Sequence, residues 1–145
     1  MTSEPKPTEA PVLDWKRYRA LTIPLDVRFA SRPQNIQTLE GPVECTIGDA
    51  ILTGVKGETW PVPHKRFMDT YAPVPPTRLG QAGRYAKKPS DVWAGRLAAS
   101  HEVTLSGNRG VLYGHPGDIL IEYSDGDQAI VAADIFNQTY QLLDA

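Results

Sequence analysis

Cysteine is nearly absent: the chain of 145 residues has only Cys45. A single thiol forms no intrachain disulfide and builds no cysteine-based zinc site. Cys45 lies in an apolar run, which points to a small core residue rather than a nucleophile. An excess of one charge is also missing, since 15 Lys and Arg stand against 17 Asp and Glu. That balance offers no overall field for nucleic acid or an anionic membrane, so only a local basic patch would serve nucleic acid. No run approaches the roughly 18 apolar residues of a membrane span. The polar, proline-rich first ten residues lack the apolar stretch of a secretory signal. The expectation is a soluble cytoplasmic protein with no membrane partner. Its residues 1–13 are expected to be a flexible tail, too polar to offset the entropy of ordering.

Familiar chemical motifs are missing too. The three histidines, His64, His101 and His115, are far apart in sequence, and no His-x-x-x-His pair or His-Glu-x-x-His motif occurs. Sequence spacing therefore supports no metal site. There is no Walker loop, no Gly-x-Gly-x-x-Gly and no Gly-x-Ser-x-Gly elbow, so no cofactor is expected. Residues 106–110, Ser-Gly-Asn-Arg-Gly, read as a hairpin turn because no helix follows to supply a dipole for phosphate.

What the chain has is turns and recurrence. Its 13 prolines and 12 glycines favour short strands over a helical bundle. Residues 48–71 align without a gap on residues 117–140, 69 residues further on. The identical pairs are Gly48/Gly117, Asp49/Asp118, Gly57/Gly126, Val62/Val131, Phe67/Phe136, Thr70/Thr139 and Tyr71/Tyr140. Weaker matches extend upstream, Gln37–Gly41 with Val103–Gly107 and Arg17-Tyr18 with Arg84-Tyr85. A tandem duplication explains the recurrence. It divides the chain into a first repeat over 14–74, a proline-rich linker over 75–83 and a second repeat over 84–145.

Alternation over 25–30 predicts a half-buried strand, and 38–41 with 43–47 a short hairpin. A second hairpin joins 49–54 to 58–62 around Val55-Lys56-Gly57. Its counterpart joins 118–123 to 128–131, with glycine at the same late turn position. Each repeat closes with a short helix. In the second, 133–143 places Ile135, Phe136, Thr139, Tyr140 and Leu143 on one helical face. In the first, Phe67 and Tyr71 are helical partners four residues apart. The predicted class is α+β: two similar β-rich units, each ending in a helix, packed about a pseudo-two-fold axis.

Asp49 and Asp118 recur, as cleft carboxylates would. Each also sits in a Gly-Asp turn where its side chain accepts backbone N–H bonds, and a corner is the better explanation. Recurrent Thr-Tyr reads as a structural anchor. Arg84, Lys87 and Lys88 surround Tyr85, and Lys16, Arg17 and Arg19 surround Tyr18. These paired basic-aromatic segments are the best candidates for a phosphate or nucleotide, which makes nucleic acid a weak possibility as partner.

Thr38-Leu39-Glu40-Gly41, Gly48-Asp49 with its apolar strand, Gly54 to Glu58, Trp60-Pro61-Val62, and Phe67 with Thr70-Tyr71 resemble one family pattern. It is that of the small bacterial and phage PGDYG proteins. The second repeat keeps Pro116-Gly117-Asp118, Gly126, Phe136, Thr139 and Tyr140. It departs at Ala129-Ile130-Val131, where the family has an aromatic, proline and valine. The resemblance implies a fold unit and an accessory role in bacterial or phage genomes, and brings no catalytic residues. The expected function is non-catalytic binding of a small ligand or protein between the repeats, with Asp49, Asp118, Arg84, Lys87 and Lys88 as ligand-binding residues. The alternative is a small hydrolase or nucleotide-binding enzyme with a cleft carboxylate.

Overall fold

The structure, a computed structural model, describes residues 5–8, 11–105, 107 and 109–143. Part of the expected tail, and Ser106 and Asn108 of the expected turn, lie outside the described residues. The chain runs β1 (Lys16–Ala20), β2 (Pro24–Phe29), β3 (Gln34–Thr38), β4 (Gly41–Cys45), β5 (Ala50–Thr53), β6 (Thr59–Val62), α1 (His64–Thr70) and β7 (Tyr71–Pro73). It continues β8 (Gly83–Lys87), β9 (Asp91–Arg96), β10 (His101–Thr104), β11 (Val111–Gly114), β12 (Ile119–Glu122), β13 (Gln128–Val131), α2 (Ala133–Thr139) and β14 (Tyr140–Leu142). No helix among the described residues is long and apolar enough to cross a membrane.

The α+β expectation is corrected: the protein is mostly β, in antiparallel sheets. Both helices are only seven residues long. Each ends where a threonine turns its hydroxyl back on the helix, Thr70 Oγ1 to the Arg66 carbonyl and Thr139 Oγ1 to that of Ile135. The next residue, Tyr71 or Tyr140, is already extended. It needs its backbone for β7 and β14, so the helix stops there. Tyr71 and Tyr140 therefore open strands rather than end helices. Their rings still stack on Phe67 and Phe136, at 5.0 and 4.8 Å between centroids.

The expectation of two similar units, each made of its own strands and packed about a pseudo-two-fold axis, is also corrected. One five-stranded sheet has the order β6-β5-β2-β8-β7 and the other β13-β12-β9-β1-β14. Strand β1 thus inserts between β9 and β14, and β8 inserts between β2 and β7. Each half lends its first strand to the sheet of the other. Tyr85 of β8 packs on Phe67 with centroids 4.8 Å apart, and Tyr18 of β1 on Phe136 at 4.7 Å. The basic-aromatic segments are thus strands with inward-facing tyrosines.

A second junction is made by the hairpins β3–β4 and β10–β11. Strands β4 and β11 lie side by side: the Glu44 N–H donates to the Arg109 carbonyl at 2.9 Å and the Tyr113 N–H to that of Glu40 at 2.8 Å. The approach is close enough to require glycine. A Cβ on Gly41 (φ +132°) would meet the Val111 oxygen at 3.0 Å, and one on Gly110 (φ +133°) the Pro42 oxygen at 2.8 Å. The turn entering β4 is the Thr38-Leu39-Glu40-Gly41 stretch. Thr38 Oγ1 closes it, donating to the Gly41 carbonyl at 2.6 Å and accepting from the Glu40 N–H at 3.2 Å. Residues 38–41 are thus a turn, where the sequence pattern predicted the first strand of the hairpin.

Buried strands β5 and β12, Ala-Ile-Leu-Thr and Ile-Leu-Ile-Glu, are covered on both faces. Their continuous apolar runs fit that position. The core includes one cluster drawn from both halves, with Trp15 and Val43 against Leu97, Leu112, Leu120 and Ile130. Cys45 is buried in a smaller cluster with Ala30, Ile36 and Ile51.

Candidate ligand-binding cavity

Two corners launch β5 and β12, and they match bond for bond. Gly48 N–H donates to the Ala30 carbonyl and Gly117 N–H to that of Leu97, both at 2.8 Å. Asp49 Oδ2 accepts the Thr46 N–H, and Asp118 Oδ2 the His115 N–H, both at 2.9 Å. Both glycines hold positive φ, +89° and +96°, which side-chain-bearing residues resist. Asp49, only 4% exposed, goes further. Its Oδ1 accepts the His64 N–H at the start of α1 at 3.1 Å, and its Oδ2 lies 3.4 Å from Arg109 Nη1. The carboxylate ties corner, helix and the second hairpin together.

Between the two sheets and the joined hairpins lies a cavity of about 700 Å³. Much of its wall is apolar, including Ile23, Leu25, Trp60, Val62, Leu112 and Ile130. The turns of the two long hairpins contribute to its wall and are held by opposite charges. Lys56 of the β5–β6 turn pairs with Asp134 of α2. Arg66 of α1 pairs with Asp125 and Asp127 of the β12–β13 turn, at 3.0 and 2.6 Å.

The polar side of the cavity is built on β8, β14 and Tyr123, the residue after β12. Lys87 Nζ donates to Tyr140 Oη at 3.0 Å. It also stands over the rings of Tyr123 and Tyr140, 5.1 and 5.4 Å from their centroids. The Arg66 guanidinium covers the other approach to Tyr123 at 4.7 Å. Burial pushes Tyr123 and Tyr140 up to about 12 and Tyr71 higher still, so all three hydroxyls stay protonated at neutral pH. Among the described residues no carboxylate pairs with Lys87. Glu40 lines the cavity from the β3–β4 turn. Burial, aided by the negative charges of Asp118 and Glu58, pushes its carboxyl up to about 7.

A family model described as PGDYG protein matches residues 41–141, more than two thirds of the chain. The chain belongs to this family. No curated protein and no solved structure matches it. The PGDYG match is a single segment running from β4 into β14. It therefore includes both Gly-Asp corners, both helices and the residues around Lys87.

Of the five residues singled out in this PGDYG chain, only Lys87 reaches the cavity wall. Asp49 and Asp118 are held in the corners. Arg84 is exposed, and its guanidinium contacts Asp26 at 3.5 Å and the Pro24 carbonyl at 3.2 Å. Lys88 is exposed, and its backbone N–H closes on the Thr70 carbonyl at 2.8 Å. Sequence reasoning missed Glu40 and Tyr123, and read Arg66 with His64 and Lys65 as a solvated cationic run. The available signal was divergence between aligned positions: Tyr123 faces Gly54 in the alignment, Arg66 faces Ile135, and Lys56 faces Asp125. Lys56, Arg66 and Asp125 make the ion pairs between the two halves, and Tyr123 lies under the Arg66 guanidinium. No group of three His, Cys, Asp or Glu side chains that would hold a metal occurs among the described residues.

Proposed function

We propose that this PGDYG chain is a non-catalytic binding protein, an accessory factor of bacterial or phage origin acting in the cytoplasm. Its ligand is a small molecule held between the two halves. The observation that carries the reading is the cavity itself. About 700 Å³ lies within the range of small-molecule sites. An apolar wall with a few convergent hydrogen-bonding groups is the composition such sites have. The matching corners and the recurring order of elements support descent from a duplicated unit, whose junction became the cavity.

The test is a thermal-shift screen of small metabolites, followed by titration monitored through Trp60 fluorescence. A ligand present at 100 times its Kd should stabilise the fold by about 2.7 kcal/mol. Ala129 lines the cavity, so Ala129→Trp should fill part of it. A folded Ala129→Trp chain should lose binding. Unchanged binding with the cavity filled would place the ligand elsewhere.

One observation favours a second reading, a small hydrolase with a cleft carboxylate. Glu40 lines the cavity, and burial pushes its carboxyl up to about 7, where a carboxyl can both give and take a proton. Hydrolysis of a chromogenic ester panel that disappears in Glu40→Gln would support it. Equal rates in both chains would rule Glu40 out as acid or base.

A further inference from the structure

Resting on that reading, we infer that the ligand is an amphiphile with one anionic head group, a carboxylate, sulfonate or phosphate monoester. The head group meets Lys87, and the apolar body lies across the sheet toward Trp60.

The charges of the cavity wall cancel in all but a few places. Lys65 is matched by Asp69, Arg109 by Asp49 and Asp91 by Arg19, while Arg66 is shared by Asp125 and Asp127 and is over-neutralised by one negative charge. Lys87 is the exception among the cations. Lys87 is half-buried, and its ammonium meets one hydroxyl and two ring faces and, among the described residues, no carboxylate. A half-buried cation without a counter-ion has given up part of its hydration and is stabilised by an arriving anion. Beside it the Tyr140 hydroxyl accepts from Lys87 and from Tyr123 and keeps its own proton to donate to the same head group.

The opposite end of the cavity repels such a group. Glu58 sits by the β5–β6 turn, where one oxygen accepts the Lys56 N–H at 2.9 Å, and Glu40 feels its charge. Glu58 and Glu40 therefore disfavour an anion on the β5–β6 side, and Lys87 offers it a cation on the β8 side. Between these ends the sheet order β6-β5-β2-β8 separates the strand of Trp60 from that of Lys87 by three strand spacings. At about 4.8 Å each this is roughly 14 Å. Leu25 of β2 lies along the way and also lines the cavity. The path suits a flexible hydrocarbon or a flat fused-ring body.

Decanoate and decanol separate the two ideas, because they share a chain and differ in charge. Calorimetric titration of the whole chain, below micellar concentrations, should show decanoate binding at least ten-fold tighter than decanol. In Lys87→Met, with folding checked by circular dichroism, that preference should vanish while decanol affinity stays within two-fold. Equal affinities in the natural chain, or an undiminished preference in Lys87→Met, would overturn the head-group assignment and leave the cavity reading standing. Binding of neither compound would overturn both.

Discussion

Replacing Glu40 by Gln tests whether burial at the β3–β4 turn does what the geometry requires. The carboxyl moves from an ordinary value of 4.5 to about 7 on folding, chiefly through desolvation. A carboxyl raised in the folded state holds a proton that the unfolded chain gives up. Its favourable contribution is complete below about 4.5 and is lost as pH rises toward 7. At about 1.36 kcal/mol per pH unit the ceiling is about 3 kcal/mol. Glu40 keeps partial contact with solvent, and screening reduces this to about 1–2 kcal/mol. Gln has the shape of the protonated acid and no charge to bury. Glu40→Gln should therefore match the natural chain at pH 4 and exceed its stability by about 1–2 kcal/mol at pH 8. For a chain of this size that is about 3–6 °C in Tm. Thermal unfolding followed by circular dichroism at pH 4, 5, 6, 7 and 8 reads the difference directly. A gap between the two chains that is the same at every pH would refute the reasoning, and so would a gap that opens toward acid.

Two more predictions concern the exchanged strands and their aromatic anchors. Phe67 is fully buried against Tyr71, Tyr85 and Phe29, whereas Phe136 meets Tyr140 and Tyr18. Phe67→Ala should cost about 3–5 kcal/mol in denaturant unfolding, and Phe136→Ala somewhat less, because it has one ring partner fewer. A cost for Phe67→Ala under about 2 kcal/mol would mean that the stack contributes little. Residues 1–79 and 80–145 expressed separately should each fail to unfold cooperatively, since each lacks a strand from inside its own sheet. Mixing them should restore the β-sheet spectrum. Independent folding of either piece would show that the exchange is dispensable.

Much of the local structure is legible without coordinates. The alternation in 25–30 marks β2, and both long hairpins fall within a residue or two of their sequence bounds. The two Gly-Asp corners are legible because positive φ and side-chain-to-backbone bonds act within a few residues of chain. Helix ends were less so. The apolar spacing from Phe136 to Leu143 continues a helical face, but Tyr140 is taken by pairing with β1. That partner is 120 residues away in sequence, and nothing local announces it.

The sequence by itself determined the periodicity of the strands, the turns that join them, the recurrence of residues 48–71 at 117–140, and the burial of Cys45 and Phe67. These follow from side-chain alternation, glycine geometry and apolarity, all of which act over short stretches. Only the tertiary structure decided which strand pairs with which, and so that β1 and β8 are exchanged. It also decided that among the described residues Lys87 stands without a carboxylate while Arg66 does not, and that burial pushes Glu40 up to about 7. Pairing across the sheets weighs contacts between distant segments, and the charge state of a side chain depends on the water and neighbours left to it after packing.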